Sequence, residues 1–408
     1  MVSAITAAAA LSLLIWLYLL FLRGGYWRAE ERLEGDVPGP ASWPDVVAVV
    51  PAREEADVIG RAVAALLAQD YPGRLDVILV DDHSGDGTAE QAVRAAERAG
   101  RPEALSVVAA RTLPPGWSGK VWAMAEGLRH ADEAAPRAAY LWLSDADIEH
   151  APDNLRRLVA KAEAERRDLV SLMAGLSCRA FWERLLIPPF VYFFQMLYPF
   201  AWVNDPAART AAAAGGCILL RRAALARAGG FAAIGGELID DCALARRIKD
   251  LTLSGRGAGA GGGIWIGLTG SARSIRPYRG LSDIWAMVAR TAYTQLGHSP
   301  VLLAGALAGM VLTYLAPPLA ALGLPLHGAP AAALLGLAAW LLMSVSARPT
   351  LRLYRQPIWL VAMLPAAAAL YCAMTLDSAL GHWRGRGGAW KGRVHPAARK
   401  LEQRPPGL

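Results

Sequence analysis

Apolar positions fall into three regimes along this chain. From Val2 to Leu22 no charged residue interrupts the run, which is long enough to span a bilayer. Arg23, Arg28 and Arg32 follow at once, and no positive segment precedes it. This pattern predicts a retained anchor with its downstream end on the cytoplasmic side. Residues 23–45, rich in Pro, Gly and acids from 33 onward, read as a linker.

An alternation typical of strands and helices comes next. Val46-Val-Ala-Val-Val50 reads as a buried strand stopped by Pro51, and Val58 to Gln69 carries helical spacing. Asp76 to Val80 predicts a second strand and Ala89 to Ala99 a second helix. Leu105 to Ala109, Val121 to His130 and Ala139 to Ser144 continue as strand, helix and strand. Strands alternating with helices imply an α/β domain with a mostly parallel, Rossmann-like sheet.

The third regime is apolar again, over roughly 301–324, 330–346 and 357–376. The stretch 185–203 holds one polar residue, Gln195, but Pro188, Pro189 and Pro199 interrupt it. A full crossing there would split the proposed chemistry across the membrane, so it reads as an interfacial or re-entrant segment. The domains expected are thus a 1–22 anchor, a 23–45 linker, a catalytic domain over 46–290, a 291–378 membrane region and a basic 379–408 tail. Arg384, Arg386, Lys391 and Arg393 make that tail basic. The positive-inside tendency then predicts that one late segment, the one broken by Pro365, does not cross.

Composition sharpens this picture only in part. Hydrophobic residues make up 54% of the 408, and the net charge is +7. The basic groups flank apolar segments and form no compact basic-aromatic motif, so they point to a membrane and not to nucleic acid. Cys178, Cys217, Cys242 and Cys372 lack metal or disulfide spacing, which suits a reducing compartment. The Gly255–Gly263 stretch lacks a Gly-Lys-Ser/Thr ending and reads as a flexible insertion.

The candidate chemistry is carboxylate. Asp145 and Asp147 end the strand 139–144 on one side, and two acids at that end make a seat for a hard divalent cation. Pro51-Ala-Arg-Glu-Glu55 and Val80-Asp-Asp-His-Ser-Gly-Asp-Gly-Thr88 follow the first two strands, with Thr88 placed to cap the next helix. In Gly235-Gly-Glu-Leu-Ile-Asp-Asp, a helix begins near Asp240, because Leu244, Ile248 and Leu251 recur at helical spacing. A carboxylate there is placed either to cap the helix or to act as a general base.

Taken in order, Pro51-Ala-Arg-x-Glu55, Asp81-Asp-x-Ser-x-Asp-Gly-Thr88, Asp145-Ala-Asp147, a Gly-Gly pair and Asp240-Asp241 resemble an inverting family 2 glycosyltransferase of the GT-A fold. Leu113-Pro-Pro-Gly-Trp-Ser-Gly-Lys-Val-Trp122, Arg276-Pro-Tyr278 and Met287 to Gln295 are similar to the hopene-associated subgroup, itself similar to ceramide glucosyltransferases. The resemblance implies that Pro51, Ala52, Arg53, Glu55, Asp82, Lys120, Asp145 and Arg290 bind a nucleotide-sugar donor, a UDP-sugar first. Asp147, with Asp145, would hold Mg²⁺ or Mn²⁺. Gly215, Gly216 and Cys217 would meet the acceptor, and Asp241, with Asp240, would supply the base.

It further implies a multi-pass protein of the bacterial inner membrane with a cytoplasmic catalytic domain and a lipid acceptor, a hopanoid-type lipid first. The alternatives are undecaprenyl phosphate or a glycan precursor as acceptor, or a nucleotide-sugar-binding scaffold without catalysis. Two departures stand out. Glu54 replaces the family's Asn, and Met287-Val-Ala-Arg-Thr291 keeps only the Arg of the Gln-x-x-Arg-Trp element of processive synthases.

Overall fold

The computed structural model describes residues 2–35, 37–255 and 263–385, and these form two compact units. The described residues among 31–177 and 202–277 make an α/β unit, and residues 2–30, 178–201 and 278–385 make a helical one. Most of the Gly255–Gly263 stretch and most of the basic tail lie outside the described residues.

The α/β unit is built on one eight-stranded sheet: β1 (Val46–Ala52), β2 (Leu75–Asp81), β3 (Leu105–Ala109), β4 (Tyr140–Ser144), β5 (Ile148–His150), β6 (Leu169–Gly175), β7 (Cys217–Arg221) and β8 (Ile264–Ser274). Their spatial order is β3-β2-β1-β4-β7-β6-β8-β5. The expected parallel half is present, with β1 paired to β2 and β4, and β2 to β3, all parallel. The sheet as a whole is mixed, because β7 runs antiparallel to both β4 and β6, and β5 antiparallel to β8.

β1 does not stop at Pro51 but runs on to Ala52, in register with Asp81. All seven of its residues are buried, as a strand covered on both faces requires. The helix Gly119–Ala134 lies close on β1 and β2. Its Gly127 has no room for a side chain, since a Cβ there would stand 2.4 Å from a Val49 methyl.

In the helical unit, four segments are long and apolar enough to cross a membrane: Val2–Phe21, Pro300–Leu322, Pro330–Leu353 and Ile358–Trp383. Pro365 does not break the last of these. It stands in the first turn of the helix Leu364–Trp383, where a missing N–H costs nothing, so it no longer singles that segment out. In the 185–203 region, Pro188 and Pro189 do not end a helix. Phe181–Leu197 is one helix that carries Pro188 and Pro189 inside it. Tyr192 is buried, sharing hydrogen bonds with Tyr26 (2.8 Å) and Ser346 (2.7 Å). Residues 178–201 and 278–290, assigned above to the catalytic domain, thus cluster with the apolar helices.

Candidate functional site

The carboxyl ends of β1, β2 and β4 lie side by side in the parallel half of the sheet, and the charged motifs begin where these strands stop. Pro51 and Ala52 are buried in β1 and can offer only backbone. Arg53 turns back across the strand ends: its guanidinium donates to the Asp82 carbonyl at 2.5 Å and stands 3.8 Å from the Asp82 carboxylate.

The adjacent acids after β2 have separate duties. Asp81 accepts from the Ser84 amide and hydroxyl, closing the turn that follows β2. Asp82 is buried against Arg53. Thr88 is not the helix cap expected of it: Gly87 holds the N-cap position without a side-chain bond, and the Asp86 carboxylate before it accepts from the Thr88 amide (3.1 Å) and the Ala56 amide (2.9 Å). Thr88 is instead the first helical residue, and its hydroxyl accepts from the Glu55 amide at 2.8 Å. Glu54, the departure from the family pattern, braces the same turn by accepting from the Gly85 amide at 2.8 Å.

Lys120 lies in the first turn of the helix that Ser118 caps. Its ammonium is 2.8 Å from Asp145 and 3.6 Å from Asp240, and so bridges the end of β4 and the start of the helix Asp240–Leu253. Burial opposes its charge, yet Asp145 and Asp240 outweigh burial and hold it protonated far above the usual lysine range. Asp241 stands beside this pair. One carboxylate oxygen accepts from the Gly215 amide (2.8 Å) and the other from its neighbour's amide at Cys242 (2.7 Å). Burial, then repulsion from Asp240, pushes the carboxyl up to about 6 against the pull of Lys120.

Asp147 accepts from the Ser274 hydroxyl at 2.8 Å and faces the Arg276 guanidinium at 3.5 Å. Arg276 also pairs with Glu55, so it ties the end of β1 to the acid pair. Burial, and then the charge of Asp145, raises the Asp147 carboxyl above its ordinary range. A divalent cation would offset the repulsion that Asp147 meets from Asp145, so the donor set fits one. Among the described residues no cluster of three or more candidate ligands occurs. Asp145 and Asp147 would therefore share the ion with phosphate oxygens and water, the habit of Mg²⁺ at nucleotide sites. Behind the pair, buried neutral His150 lies 2.9 Å from the Ser144 hydroxyl, which donates to the Asp145 carbonyl at 3.2 Å.

Gly215 is tightly packed against the charged groups. A Cβ there would stand 3.1 Å from the Lys120 ammonium and 3.2 Å from Asp241, and one on Gly216 would meet Ile148 at 3.2 Å. Cys217 does not fit the acceptor role given to it. It is wholly buried at the start of β7, where its sulfur meets the Trp142 indole (3.5 Å) and the Asn154 amide (3.7 Å). Arg290 belongs to the helical unit, exposed on the helix Leu281–Gln295. The structure thus gathers Arg53, Glu55, Asp82, Lys120, Asp145, Asp147, Gly215, Asp240 and Asp241 in one unit. It adds Ser274 at the end of β8, which no local pattern signalled, and Arg276 just beyond it, noticed in sequence only within the Arg276-Pro-Tyr278 motif and given no role there.

Residues 47–229 match the model of glycosyl transferase family 2. Succinoglycan biosynthesis protein ExoO from Rhizobium meliloti (strain 1021) is 32% identical over 162 residues, covering 36% of this chain and 42% of that protein. The chain therefore spans less than half the length of this curated relative. The solved mannosyltransferase PcManGT from Pyrobaculum calidifontis, in complex with GDP-Man and Mn²⁺, aligns with 91% of this chain and 99% of its own. Its identity is 24% and its TM-score 0.55, which establishes a shared fold. The α/β unit has the mixed, Rossmann-like sheet of the GT-A fold.

Proposed function

We propose that this chain, which carries a glycosyl transferase family 2 domain, moves a sugar from a nucleotide-sugar donor to a lipid acceptor at the inner membrane, with inversion. The observation that carries this reading is the Asp145–Lys120–Asp240 bridge with Asp241 beside it. One cation and one candidate base stand together at the strand ends where open α/β sheets bind ligands. A binding scaffold would need neither.

Arg53, Glu55 and Asp82 would hold the nucleoside. Lys120 would offset negative charge gathering on the departing nucleoside diphosphate. A divalent cation held by Asp147 and Asp145 would supply further charge neutralisation there. Asp241, ionised at neutral pH, would take the proton of an acceptor hydroxyl as it attacks the anomeric carbon. A single displacement of this kind inverts the anomeric centre.

The four apolar segments support a membrane setting for the acceptor, a hopanoid-type lipid first. The succinoglycan relative favours a second reading, transfer to a glycan precursor. The purified protein is to be incubated with bacterial lipid extract, Mn²⁺ and radiolabelled UDP-, GDP- or dTDP-sugars. Label should enter a lipid band. Label confined to water-soluble product, indifferent to added lipid, would sink the lipid-acceptor reading.

A further inference from the structure

Two loops of the α/β unit interlock just before the helices that carry Lys120 and Asp241. A Cβ on Gly235 would stand 2.8 Å from Cδ2 of Trp117 and 3.0 Å from Cε2 and Cε3, so the indole lies directly on the Gly235 backbone. A Cβ on Gly236 would stand 2.8 Å from the Gly116 carbonyl oxygen, and Gly116 itself adopts φ +88° to turn its loop back. The Ser118 amide completes the clasp by donating to the Gly235 carbonyl at 2.7 Å.

The indole is also braced from behind. Trp122 meets it edge-on, with ring centroids 5.2 Å apart, and its own indole N–H donates to the Arg111 carbonyl at 2.9 Å. Arg111 in turn forms a bidentate pair with buried Glu126, at 2.7 and 2.8 Å. Ser118 caps the helix bearing Lys120, and Gly235–Ile239 leads into the helix bearing Asp240 and Asp241. The clasp therefore joins two helix starts whose charged side chains meet.

We propose that Trp117 is a positioning residue: seated on Gly235, it fixes the start of the Lys120 helix against the start of the Asp241 helix. It thereby sets the spacing between the leaving-group lysine and the base. This role deepens the transfer mechanism above and rests on it, although the clasp itself can be tested without substrate. In this role Trp117 acts through Lys120 and Asp241. Its loss should slow turnover and leave donor affinity alone, since misplacing reacting groups by about 1 Å can cost up to about 10²-fold.

The first test is hydrogen exchange on the full chain in detergent. Trp117→Ala should speed exchange in peptides covering 114–121 and 234–242 together, by about ten-fold or more, while peptides from β1 and β2 stay protected. Trp117→Phe, which keeps a ring on Gly235, should restore protection. The second test uses Mn²⁺, bacterial lipid extract and whichever of UDP-glucose or GDP-mannose the wild type consumes. Trp117→Ala should cut kcat about ten-fold or more and hold donor KM within about two-fold.

Gly235→Ala should reproduce that loss, and the double variant should be no worse than either single one. Faster exchange in only one of the two loops would overturn the proposal. So would an unchanged kcat, a raised donor KM with kcat intact, or a Phe variant as impaired as the Ala variant. If the wild type consumes neither sugar nucleotide, the transfer reading fails while the exchange result still decides the clasp.

Discussion

Asp240 and Lys120 should move the acid limb of catalysis in opposite directions. Asp241 is the titrating group, pushed up to about 6 by burial and Asp240 and pulled down by Lys120. A general base must be ionised to accept a proton, so kcat/KM for the donor falls as pH drops through that value. With a pKa of about 6, roughly 97% of Asp241 is ionised at pH 7.5 and roughly 9% at pH 5, a loss of about ten-fold. Asp240→Asn removes the like charge. If that lowers the limb by about one unit, an ordinary size for one adjacent charge, activity at pH 5 recovers about five-fold. Lys120→Gln removes the opposing cation, so its limb should move to higher pH while the plateau falls. Initial rates of nucleoside diphosphate release from pH 4.5 to 8.5, at fixed Mn²⁺, read both limbs. Shifts in the same direction, or a wild-type limb near pH 4, would refute the assignment of Asp241.

EDTA should abolish turnover and Mn²⁺ or Mg²⁺ restore it, and Asp147→Ala should weaken nucleotide-sugar binding at least ten-fold, about 1.4 kcal/mol. Full activity in chelator would remove the cation from the scheme. Gly215→Ala should cut kcat about ten-fold or more without lowering the melting temperature much, because its Cβ would crowd Asp241 and the mobile tip of Lys120. A fully active variant would show that the site yields there. Asp241→Asn should melt above the wild type at pH 7.5, with the gap closing toward pH 4. The folded carboxyl titrates above its ordinary range, so ionisation costs stability as pH rises through about 6 and nothing below the unfolded value. A variant that melts lower at pH 7.5 would contradict the burial penalty.

Where local pattern and fold agree, the sequence was legible. Val46–Ala52, Val77–Val80 within β2, and Tyr140–Leu143 within β4 are apolar runs followed closely by charge, and such runs are the signature of strands buried on both faces. The start of the helix at Asp240 followed from the spacing of Leu244 and Ile248. Illegible were the contacts that close across long sequence separations. β7 follows a Gly-Gly pair and inserts antiparallel between β4 and β6, a pairing no local period encodes. Arg276 meets Glu55 and Asp147 only because β8 returns to the same sheet, and Cys217 was misjudged because its burial depends on Trp142 across that pairing. Pro188 and Pro189 marked a break in sequence but stand within one helix. The Trp117–Gly235 clasp joins the Leu113–Trp122 motif to the Gly235-Gly236 step, two stretches that nothing local in the sequence links.

The central claim is that Asp241 acts on the acceptor and not on the donor, and one paired measurement on Asp241→Asn addresses it. Donor binding is to be measured at equilibrium with Mn²⁺, and transfer in a single turnover with saturating donor and lipid extract. Donor affinity should stay within about two-fold of the wild type and transfer should slow by about 10²–10⁴, the reach of a general base. Transfer at a near-normal rate would reduce Asp241 to a helix-start carboxylate, and a matching loss of donor affinity would move it into the donor site.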